Sequence, residues 1–177
     1  MNVPRLSHIL TLALVLNAAA FAEESKTPAV ATDFTARDLN GKKVRLREAL
    51  HRGPVLLDFW ALWCIPCLKA MPHLQEIQER YRDRGLTVIA VNQDSPSDQS
   101  KVKPFIKRKR YRFQVVLDED KDLWYQFKLI SLPTTLLLDS DGNIVYAHSG
   151  YKPGDETELI ARIERLLPEK SEEKDRK

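Results

Sequence analysis

The run Val55-Leu56-Leu57-Asp58-Phe59-Trp60 constrains this 177-residue chain more than any other segment. Five of its six residues are apolar, the pattern of a strand buried on both faces of a parallel sheet. Such a strand needs helices on either side to cover it, and the rest of the chain supplies them in alternation. From Cys64 to Arg84, Leu68, Met71, Leu74, Ile77 and Tyr81 recur at three and four, which predicts a helix, kinked at Pro72. Leu86 to Val91, Gln114 to Leu117, Thr134 to Asp139 and Ile144 to Ala147 read as strands, the last two joined at Asp141-Gly142. Ser100 to Lys109, Leu123 to Phe127 and Glu156 to Leu167 read as helices. Ahead of the buried run, Asn40-Gly41 between Phe34–Leu39 and Lys43–Leu46 predicts a hairpin whose two turn residues both take positive φ. This order predicts an α/β fold, a mixed central sheet flanked by helices, as one domain over residues 33–168. Residues 23–32 read as a flexible lead-in and 169–177 as a charged, disordered tail.

The only two cysteines, Cys64 and Cys67, fall where the buried strand hands over to the helix. A cysteine at a helix N-terminus faces unpaired backbone N–H groups and the positive end of the helix dipole. Both stabilise a thiolate and lower its pKa below the free value of ~8.5. Cys64 is therefore read as the nucleophile and Cys67, one turn in, as the more buried partner that resolves a mixed disulfide. Pro66 suits the first turn, where its missing N–H costs little. A purely structural disulfide closing so short a loop would add little stability. A zinc site needs two further ligands; beyond the leader the histidines are His51, His73 and His148, and none has the spacing. Covalent haem attachment needs His after the second cysteine, where Leu68 stands. Asp58, a carboxylate inside the apolar run, costs free energy to bury and is read as the base that takes the Cys67 proton.

The stretch Asp58-Phe59-Trp60-Ala61-Leu62-Trp63-Cys64-Ile65-Pro66-Cys67 resembles the signature of the thioredoxin superfamily, with Pro72 at the family's kink proline. Ser131-Leu132-Pro133-Thr134-Thr135 resembles its cis-proline loop. The resemblance implies a thioredoxin-like fold, a cis bond at Leu132-Pro133 facing the cysteines, and docking of substrate against that loop as an added strand. Trp63, Ile65, Pro66, Leu132 and Pro133 are the residues it implies for substrate contact. The hairpin before the first buried strand, and the 42 residues between Val91 and Thr134, resemble the N-terminal hairpin and central helix-strand insertion of the TlpA/ResA-type periplasmic reductases. Many members of that branch carry Asn where this chain has Asp58. Thioredoxins pair that acid with a Lys on the next strand, and the matching position here is Ala90. Ile65 replaces the common Gly between the cysteines. A peroxiredoxin would want Thr or Ser three residues before its reactive cysteine, where Ala61 stands.

Residues 1–22 read as a signal peptide: Arg5, a largely apolar stretch from Ile9 to Leu16, and a cleavage pattern at Ala20-Phe21-Ala22. Even extended to Ala22 the apolar run is about 14 residues, short of the ~20 that span a bilayer. The expectation is a periplasmic protein, with an inner-membrane anchor as the alternative. Of 28 basic and 25 acidic residues the leader holds one Arg, leaving 27 against 25, a balance that does not suggest nucleic-acid binding. The basic cluster from Lys101 to Arg112 reads as a solvated face, with docking to an acidic partner or anionic lipid as the alternative. Trp124 reads as core, and His73 as surface or packing, with tuning of the thiolate as its alternative. Taken together, the expected activity is thiol:disulfide exchange without metal or organic cofactor, acting as a reductase on oxidised protein substrates, apocytochrome c among them. A membrane thiol or electron donor would restore the pair, and the protein would be a monomer. The alternatives are an oxidase that donates its disulfide and a non-catalytic binding or chaperone module.

Overall fold

The computed structural model describes residues 29–168. The signal-peptide reading over 1–22, residues 23–28 of the lead-in and the tail over 169–177 lie outside the described residues. Among the described residues seven strands form one mixed sheet, flanked by helices. In chain order the elements are β1 (Thr35–Asp38), β2 (Lys43–Arg45), α1 (Leu46–Leu50), β3 (Val55–Trp60), α2 (Ile65–Tyr81), β4 (Thr87–Asn92), α3 (Gln99–Lys109), β5 (Gln114–Leu117), α4 (Asp122–Gln126), β6 (Thr134–Leu138), β7 (Ile144–Ser149) and α5 (Asp155–Leu166). The strands lie in the order β2-β1-β5-β4-β3-β6-β7.

All six side chains of β3 are buried, as its composition requires. Only one of its neighbours is parallel, however: β4 pairs parallel and β6 antiparallel. Its side chains alternate between two cores. Leu56 and Trp60 join Met71, Leu74 and Ile77 of α2, Phe105 of α3 and Ile163 of α5. Val55, Leu57 and Phe59 join Leu46 and Ala49 of α1 and Leu123 of α4 on the other face. Burying one such side chain fully is worth about 1.5–3 kcal/mol, which is how a six-residue strand anchors both layers. The same alternation places Asp58 on the face of Leu56 and Trp60, toward α2.

The long connection between β4 and β6 holds α3, β5 and α4. Its strand β5 pairs parallel with β4 and antiparallel with β1, so the insertion ties the N-terminal hairpin to the main sheet. The hairpin turn departs from expectation. Gly41 alone takes positive φ (79°), and Asn40 does not. The reason is Asp38, whose carboxylate accepts the N–H groups of Asn40 and Lys42 at 2.8 and 2.9 Å and so folds a wider loop. Asp139 repeats the device before Gly142, accepting from Asp141 and Asn143. Helix α2 continues through Pro72, whose missing N–H leaves the Leu68 carbonyl without its helical donor. No helix among the described residues is long and apolar enough to cross a membrane.

Candidate active site

Strand β3 ends at Trp60, and a short loop carries the chain to Cys64. The loop is held from below: Asp94, just past β4, accepts the Leu62 N–H at 2.9 Å and is itself held by Asn92 Nδ2 at 2.7 Å. Cys64 is the N-cap of α2, and its Sγ accepts the Cys67 N–H at 3.2 Å. Cys64 and Cys67 form a disulfide with a Cα–Cα distance of 5.2 Å. Both cysteines are buried, and of the two Cys64, the one expected to attack, keeps the residual exposure, 4% against 0%. The first turn of α2 holds no acidic side chain. Nothing there offsets the positive end of the helix, and a Cys64 thiolate would have its N–H groups to itself.

The residues expected to contact substrate fall into two groups. Trp63 (66% exposed), Ile65 and Pro66 project from the turn that carries Cys64. The Leu132-Pro133 bond is cis. Leu132 lines a groove together with Trp63, Gln93, Lys121, Trp124 and Tyr125, while Pro133 faces a second cavity that contains Asp58. The cis-proline loop thus lies between the groove that Trp63 lines and the cavity that Asp58 lines. Trp124, read as core, is half-buried and shares the groove with Trp63. Tyr125 and Lys121 were not legible as site residues. Their nearest signal was an exposed aromatic beside Trp124 in a helix of five residues.

Asp58 is 1% exposed. Its pKa is pushed up from 3.8 to about 7, chiefly because burial penalises the carboxylate, with the Thr135 hydrogen bond pulling the other way. Thr135 Oγ1 donates to Oδ1 at 2.8 Å, and Oδ2 has no partner. Directly across on β4 stands Ala90, so no cation occupies the position where a thioredoxin places one. Thr135, its partner across β6, was not anticipated, because that contact joins residues 77 apart in sequence. Among the described residues no group of three or more His, Cys, Asp or Glu side chains is placed to hold a metal ion.

A disulfide-bonded cysteine pair at a helix N-terminus, on a mixed sheet with a cis-proline loop, defines a thioredoxin-like thiol-disulfide oxidoreductase. Comparison with known proteins agrees and makes the assignment more specific. The chain belongs to the AhpC/TSA family, whose model matches residues 28–147. It is 34% identical over 128 residues to the thiol-disulfide oxidoreductase ResA of Bacillus thuringiensis subsp. konkukian, covering 72% of each chain. Among solved structures it resembles a candidate thiol:disulfide interchange protein, DsbE, from Chlorobium tepidum, with 29% identity and a TM-score of 0.73 over 80% of this chain and 97% of that one. A thiol:disulfide interchange protein from Bacteroides sp. is 27% identical with a TM-score of 0.65, over 85% of this chain and 95% of that one.

Proposed function

We propose that this oxidoreductase is a periplasmic reductase of protein disulfides, with apocytochrome c awaiting haem as a substrate. The observation that carries the reading is Cys64 at the N-cap of α2, its sulfur receiving the Cys67 N–H in a turn free of acidic side chains. The relatives' name supports the chemistry, and the resemblance to TlpA/ResA-type reductases supports the direction. Whether the leader is cut after Ala22 or kept as an inner-membrane anchor, it places the domain on the periplasmic side.

In the proposed reaction the Cys64 thiolate attacks one sulfur of a substrate disulfide. A Cys64–substrate bond forms and the other substrate sulfur leaves as a thiolate. Asp58 then takes the Cys67 proton, and Cys67 attacks the Cys64 sulfur. The Cys64–Cys67 bond forms, the second substrate sulfur leaves, and both substrate thiolates gain protons from solvent. Two electrons pass from the cysteine pair to the substrate, so the cycle calls on no metal, nucleic acid or organic cofactor. A membrane-borne thiol donor returns the electrons, and the protein works as a monomer. Trp63, Ile65 and Pro66 on one side and Leu132 and Pro133 on the other hold the substrate strand over Cys64.

The test is the redox midpoint, read from tryptophan fluorescence after equilibration with glutathione or dithiothreitol. The expected value lies near the thioredoxin end, about −270 mV. A midpoint near −120 mV would reassign the protein as a disulfide donor. Trapping with Cys67→Ser then captures substrates as mixed disulfides on Cys64; a failure to accumulate any would leave only a binding module.

A further inference from the structure

A buried base needs a path by which to exchange its proton with solvent. Asp58 cannot do so directly: it is 1% exposed and flanked on β3 by Leu57 and Phe59, both fully buried. It does line a cavity of about 40 Å³, room for one or two water molecules. One of its carboxylate oxygens is taken by Thr135 and the other has no protein partner. On the far side of Thr135, as its Cα partner on β7, lies His148, which also lines the cavity. His148 is half-buried, and its Nε2 lies 3.1 Å from Asp155 Oδ2 at the start of α5. Imidazole is the side chain suited to exchanging protons near neutrality, and a neighbouring carboxylate offsets the charge it gains.

We propose that His148, backed by Asp155, is the exit for the Asp58 proton, reached through water in the cavity between them. The inference rests on the base role of Asp58 proposed above. On oxidation Asp58 takes one proton from Cys67, passes it along the cavity water to His148, and His148 releases it to solvent; when the donor re-reduces the pair, one proton returns to Cys67 by the same path, and no electrons move along it. The other titratable groups facing the cavity do not compete equally. Tyr146 and Tyr151 have pKa values raised by burial and stay neutral. The Asp155 carboxylate is held below its ordinary value, first by the Lys152 N–H and then by His148, so it stays charged beside the imidazole. Glu156 accepts the Gly154 N–H at the α5 terminus. His73, on α2, has its Nδ1 3.4 Å from Glu76 and is not paired across the sheet from Thr135.

The test uses the reduced protein mixed rapidly with oxidised glutathione, at concentrations where the rate no longer rises with glutathione and resolution by Cys67 limits. The rate is followed from pH 5 to 9 with increasing imidazole in the buffer; the exit is read below pH 7, where most molecules start with Asp58 protonated and must discharge it before it can take the Cys67 proton. Wild type should be indifferent to imidazole. His148→Ala should resolve on the order of tenfold more slowly, a fraction of what a proton-transfer group contributes, and imidazole should restore the rate. His148→Gln keeps bulk on β7 and should be equally slow, which separates proton transfer from packing; circular dichroism confirms the fold. Asp58→Asn should be slow and not rescued. If Asp58→Asn is slow but both His148 variants match wild type, the exit is elsewhere and the base role survives. A loss confined to His73→Gln moves the exit to α2 and overturns the assignment. If Asp58→Asn is as fast as wild type, the base role itself fails, and the relay with it.

Discussion

Asp58 carries a thermodynamic cost that can be measured without any substrate. Its carboxyl has a pKa of 3.8 when solvated and about 7 in the fold, so between these values the folded state holds a proton that the unfolded state releases. Stability from this group is therefore complete below about pH 4 and is lost as pH rises through 7. The full loss is roughly 4 kcal/mol. Asp58→Asn cannot ionise, so urea midpoints of the variant relative to wild type should rise steadily from pH 4 to pH 8. The lowered carboxylates Asp98, Asp155 and Glu164 tilt the curve the other way at low pH. They are common to both proteins and cancel in the difference. A flat difference would mean that Asp58 is solvated. At this scale Cys64, Cys67 and Asp58 were legible because each breaks a local pattern: two sulfurs at a strand-to-helix junction, one charge in an apolar run. Thr135, His148 and Asp94 break none. Their roles come from contacts that only the assembled sheet brings about.

Elements and their order were legible for a related reason, since apolar periodicity is a local property of the chain. Turn geometry was less so. Asn40-Gly41 signals a tight hairpin, but the Asp38 side chain substitutes for one of the turn's backbone bonds and relaxes the demand on Asn40. The start of β3 shows a contact that no pattern announces. Gly53 has φ +139°, and a Cβ there would lie 2.7 Å from the Gly85 carbonyl oxygen. The two glycines let the lead-ins to β3 and β4 touch, and Thr87 N–H bonds Pro54 O at 3.0 Å at the same point. The parallel register Val55↔Thr87 begins there. Gly53→Ala should therefore cost at least about 1–3 kcal/mol through backbone strain alone. It should lower the urea midpoint at unchanged slope and leave the redox midpoint where it was. An unchanged urea midpoint would show that the two lead-ins can separate freely.

For the molecule as a whole, redox direction and stability are two readings of one equilibrium. A reductase holds its disulfide more firmly than an unfolded chain does, so its oxidised form must be the harder to unfold. Each 30 mV of potential corresponds to about 1.4 kcal/mol between the two forms. The reductase reading predicts that the disulfide form of this protein unfolds at higher urea than the dithiol form. The reverse order would mark a donor of disulfides. The groups at the site that differ between the two forms' surroundings are the N-cap of α2 and the loop before Cys64, which the Asp94 bond holds.

The amino-acid order alone determined the α/β class, the cysteine chemistry and the burial of Asp58. Each follows from neighbours within one turn or one strand, where propensity and periodicity act. Only the tertiary structure decided which face Asp58 shares with α2, that Thr135 and no cation meets it, and that a cavity leads from it to His148. These depend on the pairing of β3 with β4 and β6, and on that of β6 with β7, across wide sequence separations. Close packing settles such pairings for the whole sheet at once, so no short segment records them.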